Sequence, residues 1–443
     1  MSRLFGTDGV RGIADEDLTS DLVIALGRAA GEVLAPRGGS VVVGRDTRLS
    51  GPRLEDALVA GLCSAGTRVH LAGVLPTPGI AFLTVEEKAE AGAVISASHN
   101  PVQDNGIKFF GRDGRKLPAI VESKIESRIE SFDAASLPAE QEIGDVDKLP
   151  DAADRYVRHA SGTIAESLRG LRIVIDCAFG SAWAVAPLAF ERAGAEVVAL
   201  NAEPDGSRIN VDCGSTSLEG VAKAVVSEGA DFGIAFDGDA DRVLAIDERG
   251  EEVDGDRILA LSAIRMLESG TLHGNLVVAT VMSNLGFRRA LEARGIELMT
   301  VPVGDRFVAE AMSKSSAALG GEQSGHIIFS AHGLTGDGII TGLQVAAAVA
   351  ASGVPLSALA HIFEPYPQVL LNVPVRSRDA LDGCEPVWDA VRRAEETLGD
   401  QGRVLLRASG TEPVIRVMVE AADAERADET ANSLADVVRA ELG

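Results

Sequence analysis

The chain is short of aromatic side chains, of cysteine and of positive charge, and each shortage narrows what it can be. Aromatic residues are 4% of 443, so packing must come from aliphatic side chains and close backbone contact, which 48 glycines allow. The four cysteines, Cys63, Cys177, Cys213 and Cys384, form no CxxC pair, and the seven histidines are scattered. A disulfide framework is thereby excluded and a zinc site disfavoured, and a reducing, cytoplasmic setting is expected. With 41 basic against 66 acidic side chains the net charge is −25. A broad nucleic-acid or anionic-lipid face does not fit that balance, although a local arginine cluster can still hold a phosphorylated metabolite. No apolar h-region opens the sequence, so no secretory signal is expected. The longest uncharged run, Gly338 to Phe363, is interrupted by Gln344, Pro355 and His361 and reads as a buried helix rather than a membrane span.

What is present is a strand–helix alternation. Val41-Val42-Val43 is followed by a helical face at Leu54, Leu58, Gly61 and Leu62, a stop at Gly66, and a strand from Val69 to Ala72. The alternation returns at Leu171–Cys177, Glu196–Leu200 and Asp231–Phe236, and again at Leu276–Val281 and Leu298–Val303. Such βα repeats predict largely parallel sheets with helices on both faces. The last stretch differs: strands at Val369–Val375, Arg403–Arg407 and Val414–Val419 precede a helix with apolar residues at Ala427, Ala431, Leu434 and Val438. Ser131 to Asp154, rich in Ala, Pro and acids, reads as a linker. The expected architecture is three consecutive mixed α/β domains plus a C-terminal α+β domain around a central active-site cleft. Their expected bounds are 1–154, 155–254, 255–368 and 369–443.

Four stretches could carry chemistry. Asp237, Asp239 and Asp241 follow an apolar strand at i, i+2 and i+4 and can converge on one hard cation. With Glu248 they also fall at EF-hand positions one, three, five and twelve. Position six, however, is Arg242 where a Gly is needed, and strands flank the loop, so a Mg²⁺ site with open positions is the better reading. Ser98, within Ile95-Ser-Ala-Ser-His-Asn-Pro101, could take a phosphoryl group and offer its oxygen to the same ion. On that stretch alone a turn serine bonded to nearby backbone remains the favoured alternative. In Gly320-Gly-Glu-Gln-Ser-Gly-His326, Glu322 and Ser324 could face a polyol from an extended loop, against a plain Gly-rich hairpin. Arg407-Ala-Ser-Gly-Thr-Glu-Pro413 with Arg416 makes either a phosphate cradle or a turn with a surface ion pair.

Together and in this order, the four motifs resemble those of the α-D-phosphohexomutases, one per domain, and the likeness runs over essentially the whole chain. Phe5-Gly-Thr-Asp-Gly-Val-Arg-Gly12, Asp104-Asn-Gly-Ile-Lys-Phe-Phe110 and Gln323 are most similar to the bacterial members that act on glucosamine phosphates. Phe329-Ser-Ala-His-Gly-Leu-Thr335 lacks the Asp-Tyr often found there. The resemblance implies that Ser98 is the phosphorylated serine and that Ser98, Asp237, Asp239 and Asp241 hold one Mg²⁺. It implies Glu322 and Ser324 on sugar hydroxyls, with Arg407, Ser409, Gly410, Thr411 and Arg416 on the phosphate not being transferred.

The implied reaction interconverts glucosamine 6-phosphate and glucosamine 1-phosphate through a 1,6-bisphosphate, feeding UDP-N-acetylglucosamine and cell-wall synthesis. Glucose or mannose phosphates are the alternative substrates. Arg242 is expected near the phosphoserine, Arg11 among the catalytic residues, Lys108 and His326 as general acid or base, and His99 as a residue that orients the serine loop. Lys108 suits a base only if its pKa is depressed. A hexose or hexosamine 1,6-bisphosphate is the expected activator, a phosphosugar the small-molecule partner, and a homodimer the expected assembly. A non-catalytic phosphosugar sensor would not need both Ser98 and the aspartates. A two-metal phosphatase needs further ligands, usually including histidines, that these scattered ones do not offer.

Overall fold

The computed structural model describes residues 4–6, 8–36, 38–130, 143–409 and 413–443. The chain divides into two compact units, residues 1–280 with 299–361, and residues 281–298 with 362–443.

The first unit holds three sheets. In the first, the strands run in the order Val10–Ile13, Asp104–Gly111, Ala91–Ile95, Ser40–Arg45, Arg68–Val74 and Val146–Lys148. The second runs Glu252–Val253, Val243–Asp247, Phe232–Phe236, Arg172–Asp176, Glu196–Leu200, and the third Glu297–Val301, Leu276–Thr280, Leu319–Gly321, Ile327–Phe329. The inner strands are the β-branched runs read from the sequence: Val41, Val42, Val43, Ile173, Val174, Ile175, Val277 and Val278 are all buried. Burial on both faces of each sheet leaves no polar alternation along these strands. The low aromatic content is met by close approach. The helices Ser20–Leu34 and Gly51–Ser64 pack so tightly that a Cβ at Gly61 would stand 2.2 Å from the Ile24 carbonyl oxygen.

Largely parallel sheets were expected, and each of the three instead carries an antiparallel strand. Ala91–Ile95 pairs antiparallel with Asp104–Gly111, Phe232–Phe236 with Val243–Asp247, and Leu319–Gly321 with Ile327–Phe329. The reason is length. A parallel return needs a crossover of about a dozen residues or more, and the segments 96–103, 237–242 and 322–326 are too short for one. Sequence reading also took 131–154 as linker. Residues 131–142 lie outside the described residues, but Val146–Lys148 forms a parallel edge strand beside Val69–Leu71, and Ala152–Ser161 is a helix that buries Tyr156, Val157 and Ala160. Charged, exposed edges such as Asp147 and Lys148 look like loop in a sequence. The strand expected to reach Val303 ends at Val301, since Pro302 has no N–H to continue the ladder.

In the second unit, Gln368–Pro374, Val414–Ala421 and Gly402–Ala408 form an antiparallel sheet covered by the helices Glu385–Leu398 and Ala424–Leu442. The helix Leu285–Glu292 joins it. Asn284 caps that helix, and Leu285 N donates to Glu420 Oε2 at 3.0 Å. Among the described residues no helix is long and apolar enough to cross a membrane; the Ala-rich run forms the buried helix Gly338–Ser352.

That helix starts at a strained electrostatic point. Asp337 accepts from Ile340 N and from Tyr156 Oη, each at 2.9 Å. Burial nevertheless pushes its carboxyl up to about 6. The folded-state value lies above the unfolded one, so this group's stabilisation is complete below pH about 4 and is lost as pH rises through about 6. Denaturant unfolding across that window should show the wild type losing up to about 3 kcal/mol relative to Asp337→Asn as pH rises. A pH-independent difference between the two proteins would contradict the assignment.

Candidate active site

The acidic hairpin is the chemical centre of the first unit. Phe236 pairs with Val243, and between them Asp237, Asp239 and Asp241 are all buried, with Ala240 turned into left-handed backbone at φ 55°. Ligand-capable oxygens of the three lie within 4.8 Å of one another. Asp239 Oδ2 accepts from Thr77 Oγ1 at 2.6 Å and Lys108 Nζ at 3.1 Å. The other oxygen of Asp239 and Oδ1 of Asp241 are buried and have no hydrogen-bond partner among the described residues. Burial, then repulsion from Asp241 and Asp239, holds the Asp237 carboxyl well above the ordinary carboxylate range. Buried, mutually repelling carboxylates with two unbonded oxygens are a donor set that fits a hard divalent cation. Strands on both sides bear out the preference against an EF-hand.

The serine loop meets this hairpin. Ser98 is 1% exposed and sits at φ 53°, in left-handed backbone that a serine seldom adopts. Its hydroxyl donates to Asp237 Oδ2 at 2.5 Å, and His99 Nδ1 lies 3.2 Å from the same Oγ. Burial, helped by Arg242 and Arg11, lowers the His99 pKa to about 4, so the ring is neutral at pH 7. Arg11, on the edge strand Val10–Ile13, donates to Asn100 Oδ1 at 3.2 Å and pairs with Asp8. Arg242 donates its backbone N–H to Asp237 Oδ1 at 3.2 Å.

Lys108, on the strand beside the serine loop, is 2% exposed and lies 2.9 Å from Asp8, 3.1 Å from Asp239 and 3.5 Å from Asp241. Burial works against its charge, but Asp239, Asp8 and Asp241 outweigh it and raise its pKa above the ordinary lysine value. The depressed value that a lysine base requires is therefore not present. Lys108 is a fixed cation here. Lys116 extends the chain of charge, pairing with both Asp8 and Asp305.

His326 lies between Asp241 (3.7 Å) and Asp305 (3.9 Å). Two influences on this ring conflict. Burial opposes a charge on it, yet the two carboxylates outweigh burial and raise its pKa. Against that, Gly336 N donates to His326 Nε2 at 3.1 Å, which needs a bare lone pair there. The hydrogen bond decides for this state: a neutral ring with its proton on Nδ1, toward Asp241. As an acid or base, His326 must first release Gly336.

Residues 322–325 form a tight turn rather than an extended loop, since Gly325 N donates to Glu322 O at 3.0 Å. Alternate residues of a turn do not share a face as they do in extended chain. Glu322 is buried and accepts from Gly304 N at 3.1 Å, whereas Ser324 is exposed. In the second unit, Arg407 and Arg416 stand directly opposite each other on paired strands. Burial and the facing Arg416 both lower the Arg407 pKa. Like charges across a ladder are destabilising unless an anion joins them. Ser409 O accepts from Arg378 Nη1 at 2.9 Å. Gly410 and Thr411 lie outside the described residues.

Family models for phosphoglucomutase/phosphomannomutase match in sequence order: alpha/beta/alpha domain I over residues 2–136, domain II over 154–250, domain III over 254–366 and the C-terminal domain over 370–437. The chain is 52% identical over 445 residues to a phosphoglucosamine mutase of Salinispora tropica, covering 99% of each. The chain belongs to the phosphoglucomutase/phosphomannomutase family. It is also 52% identical over 452 residues to a phosphoglucosamine mutase of Streptomyces griseus, covering 100% of both. A solved phosphoglucomutase/phosphomannomutase family protein of Burkholderia thailandensis superposes with a TM-score of 0.85 at 27% identity, over 100% of this chain and 98% of that one.

Within this family member, sequence reading named the serine, the acid triplet and Lys108 but missed Asp8, Lys116 and Asp305. Their partners lie 108 and 189 residues apart along the chain, so no local spacing announces them. The metal reading is testable. Calorimetric titration with Mg²⁺ or Mn²⁺ should give one site. Asp239→Asn should weaken it by more than the roughly 10- to 100-fold typical of losing an outer-shell contact. An unchanged affinity would place the cation elsewhere.

Proposed function

We propose that this chain interconverts glucosamine 6-phosphate and glucosamine 1-phosphate through a phosphoserine at Ser98 and a 1,6-bisphosphate, as an isomerase supplying amino-sugar precursors of the cell wall. The observation that carries the reading is the contact of a strained, buried serine hydroxyl with an acid triplet that has bare oxygens. In the resting state Ser98, Asp237, Asp239 and Asp241 would hold one Mg²⁺, which when bound neutralises charge gathering on the transferred phosphoryl group.

The rest is positioning. A hydroxyl oxygen of the sugar attacks the phosphorus of phospho-Ser98; the new O–P bond forms as the Oγ–P bond breaks, and the sugar proton must be taken up. Lys108 and Arg242 steady the moving charge, and Arg11 holds Asn100 in the serine loop. After the bisphosphate turns over, the other phosphoryl group returns to Ser98 Oγ, whose proton has two near acceptors, Asp237 and His99. Glu322 and Ser324 would contact the sugar. The cradle of Arg407, Ser409, Gly410, Thr411 and Arg416 would grip the phosphate that is not moving. A cross-strand pair of arginines supports an anion there.

A hexose or hexosamine 1,6-bisphosphate would prime the serine. The same reading takes the enzyme as a cytoplasmic homodimer, with the serine loop in 1–154, the metal loop in 155–254, the sugar turn in 255–368 and the phosphate cradle in 369–443.

Intact mass tests this directly. Incubation with glucose 1,6-bisphosphate should add one phosphoryl group, localised to Ser98, and Ser98→Ala should lose both the gain and turnover. Turnover by Ser98→Ala within tenfold of wild type, or release of free phosphate instead of an isomer, would overturn the reading. Rates with glucosamine, glucose and mannose 6-phosphates side by side should favour glucosamine.

A further inference from the structure

Ser98 is held in its left-handed conformation by a residue that no step above uses. Arg48 follows the strand Ser40–Arg45 and is 0% exposed. Its guanidinium donates to Ser98 O at 2.9 Å, Asn100 O at 2.8 Å and Asp104 O at 2.9 Å, and also to the carbonyl of Pro101. Its Nε donates to Asp46 Oδ2 at 3.0 Å. Asp46 Oδ2 also accepts from Ser96 Oγ at 2.6 Å, and Ser96 Oγ accepts from Ser98 N at 2.9 Å. Both ends of the Ser98 backbone thus run to one buried ion pair, the N–H through Ser96 and Asp46 and the carbonyl through Arg48.

The acidic half of the site adds a second clamp. Asn210 Nδ2 donates to Ser98 O at 2.9 Å. A Cβ at Gly238 would stand 2.7 Å from that same oxygen, so the metal hairpin closes on the Ser98 peptide with no space to spare. Left-handed backbone at a serine is unfavourable and persists only where surroundings over-determine it. Here the surroundings are these donors.

We propose that Arg48 is a positioning residue for phosphoryl transfer, with Asn210 as its second support. Together they fix the strained Ser98 peptide so that Oγ is presented at Asp237, while neither donor is bonded to Oγ. The inference rests on Ser98 being the phosphoryl carrier. A lysine at 48 keeps the charge but loses the planar fork that spans several carbonyls. Asn210 is itself left-handed, at φ 60°, so Asn210→Gly removes the amide while suiting the backbone.

The test compares wild type, Arg48→Lys and Asn210→Gly. It measures kcat and KM for glucosamine 1-phosphate, the rate of Ser98 phosphorylation by glucose 1,6-bisphosphate from intact mass, and the thermal midpoint by circular dichroism. Folded Arg48→Lys should keep KM within about threefold while kcat and the phosphorylation rate fall together by roughly 100-fold. Asn210→Gly should lose both by roughly tenfold. Folded Arg48→Lys with kcat within about threefold of wild type, or a loss confined to KM, overturns the inference. Should Arg48→Lys not fold, wild-type rates in Asn210→Gly overturn it alone. A wild type that accepts no phosphoryl group sinks the phosphoserine reading and this inference with it, whereas a phosphorylated wild type with undisturbed variants sinks only the latter.

Discussion

A serine hydroxyl donates to a carboxylate at 2.5 Å in a buried site where two more carboxylates keep bare oxygens, and those oxygens call for positive charge. Burial raises the cost of every negative group, and the chain sets buried cations among them. Lys108 bridges Asp8, Asp239 and Asp241, and Lys116 bridges Asp8 and Asp305. The carboxylates of Asp8, Asp237, Asp239, Asp241 and Asp305 still outnumber Lys108, Lys116, Arg11 and Arg242. A phosphoserine would add about −1.5 to −2 more. Burial first, and then repulsion from Asp241 and Asp239, raises the Asp237 pKa, and a divalent cation would relieve the excess charge.

The scaffold explains why the chemistry sits where it does. Segments 96–103, 237–242, 322–326 and 409–413 each join two antiparallel neighbours. The first three motifs are therefore hairpin links, held at both ends by paired strands, and the fourth lies between two paired strands. Rigid ends let a short loop store an unfavourable conformation such as that of Ser98 or Ala240.

Much of this was legible in the sequence. The β-branched runs, the acid spacing at 237, 239 and 241 and the serine loop are local patterns, and local patterns survive folding. The antiparallel pairs were read as parallel, because a fully buried strand looks the same in either orientation. The short spans between apolar runs did carry the signal, since they leave no room for a crossover. The buried ion pair Asp46–Arg48 was passed over because charged residues after a strand usually face solvent, and here every polar atom of the guanidinium finds a carbonyl or a carboxylate. The extended course expected for Glu322–Ser324 is not found, because a glycine-rich stretch read as extended turns back on itself within four residues, as the Gly325 to Glu322 hydrogen bond records.

The central claim is that the oxygen borne by Ser98 and the acid triplet grip one cation. Phosphorus NMR of the protein phosphorylated at Ser98 tests it without relying on turnover. Adding Mn²⁺ up to one equivalent should broaden the phosphoserine resonance beyond detection in the wild type, and far less in Asp239→Asn. A resonance that stays sharp in the wild type while one Mn²⁺ is bound would put the ion and the phosphoserine in different places and contradict the account.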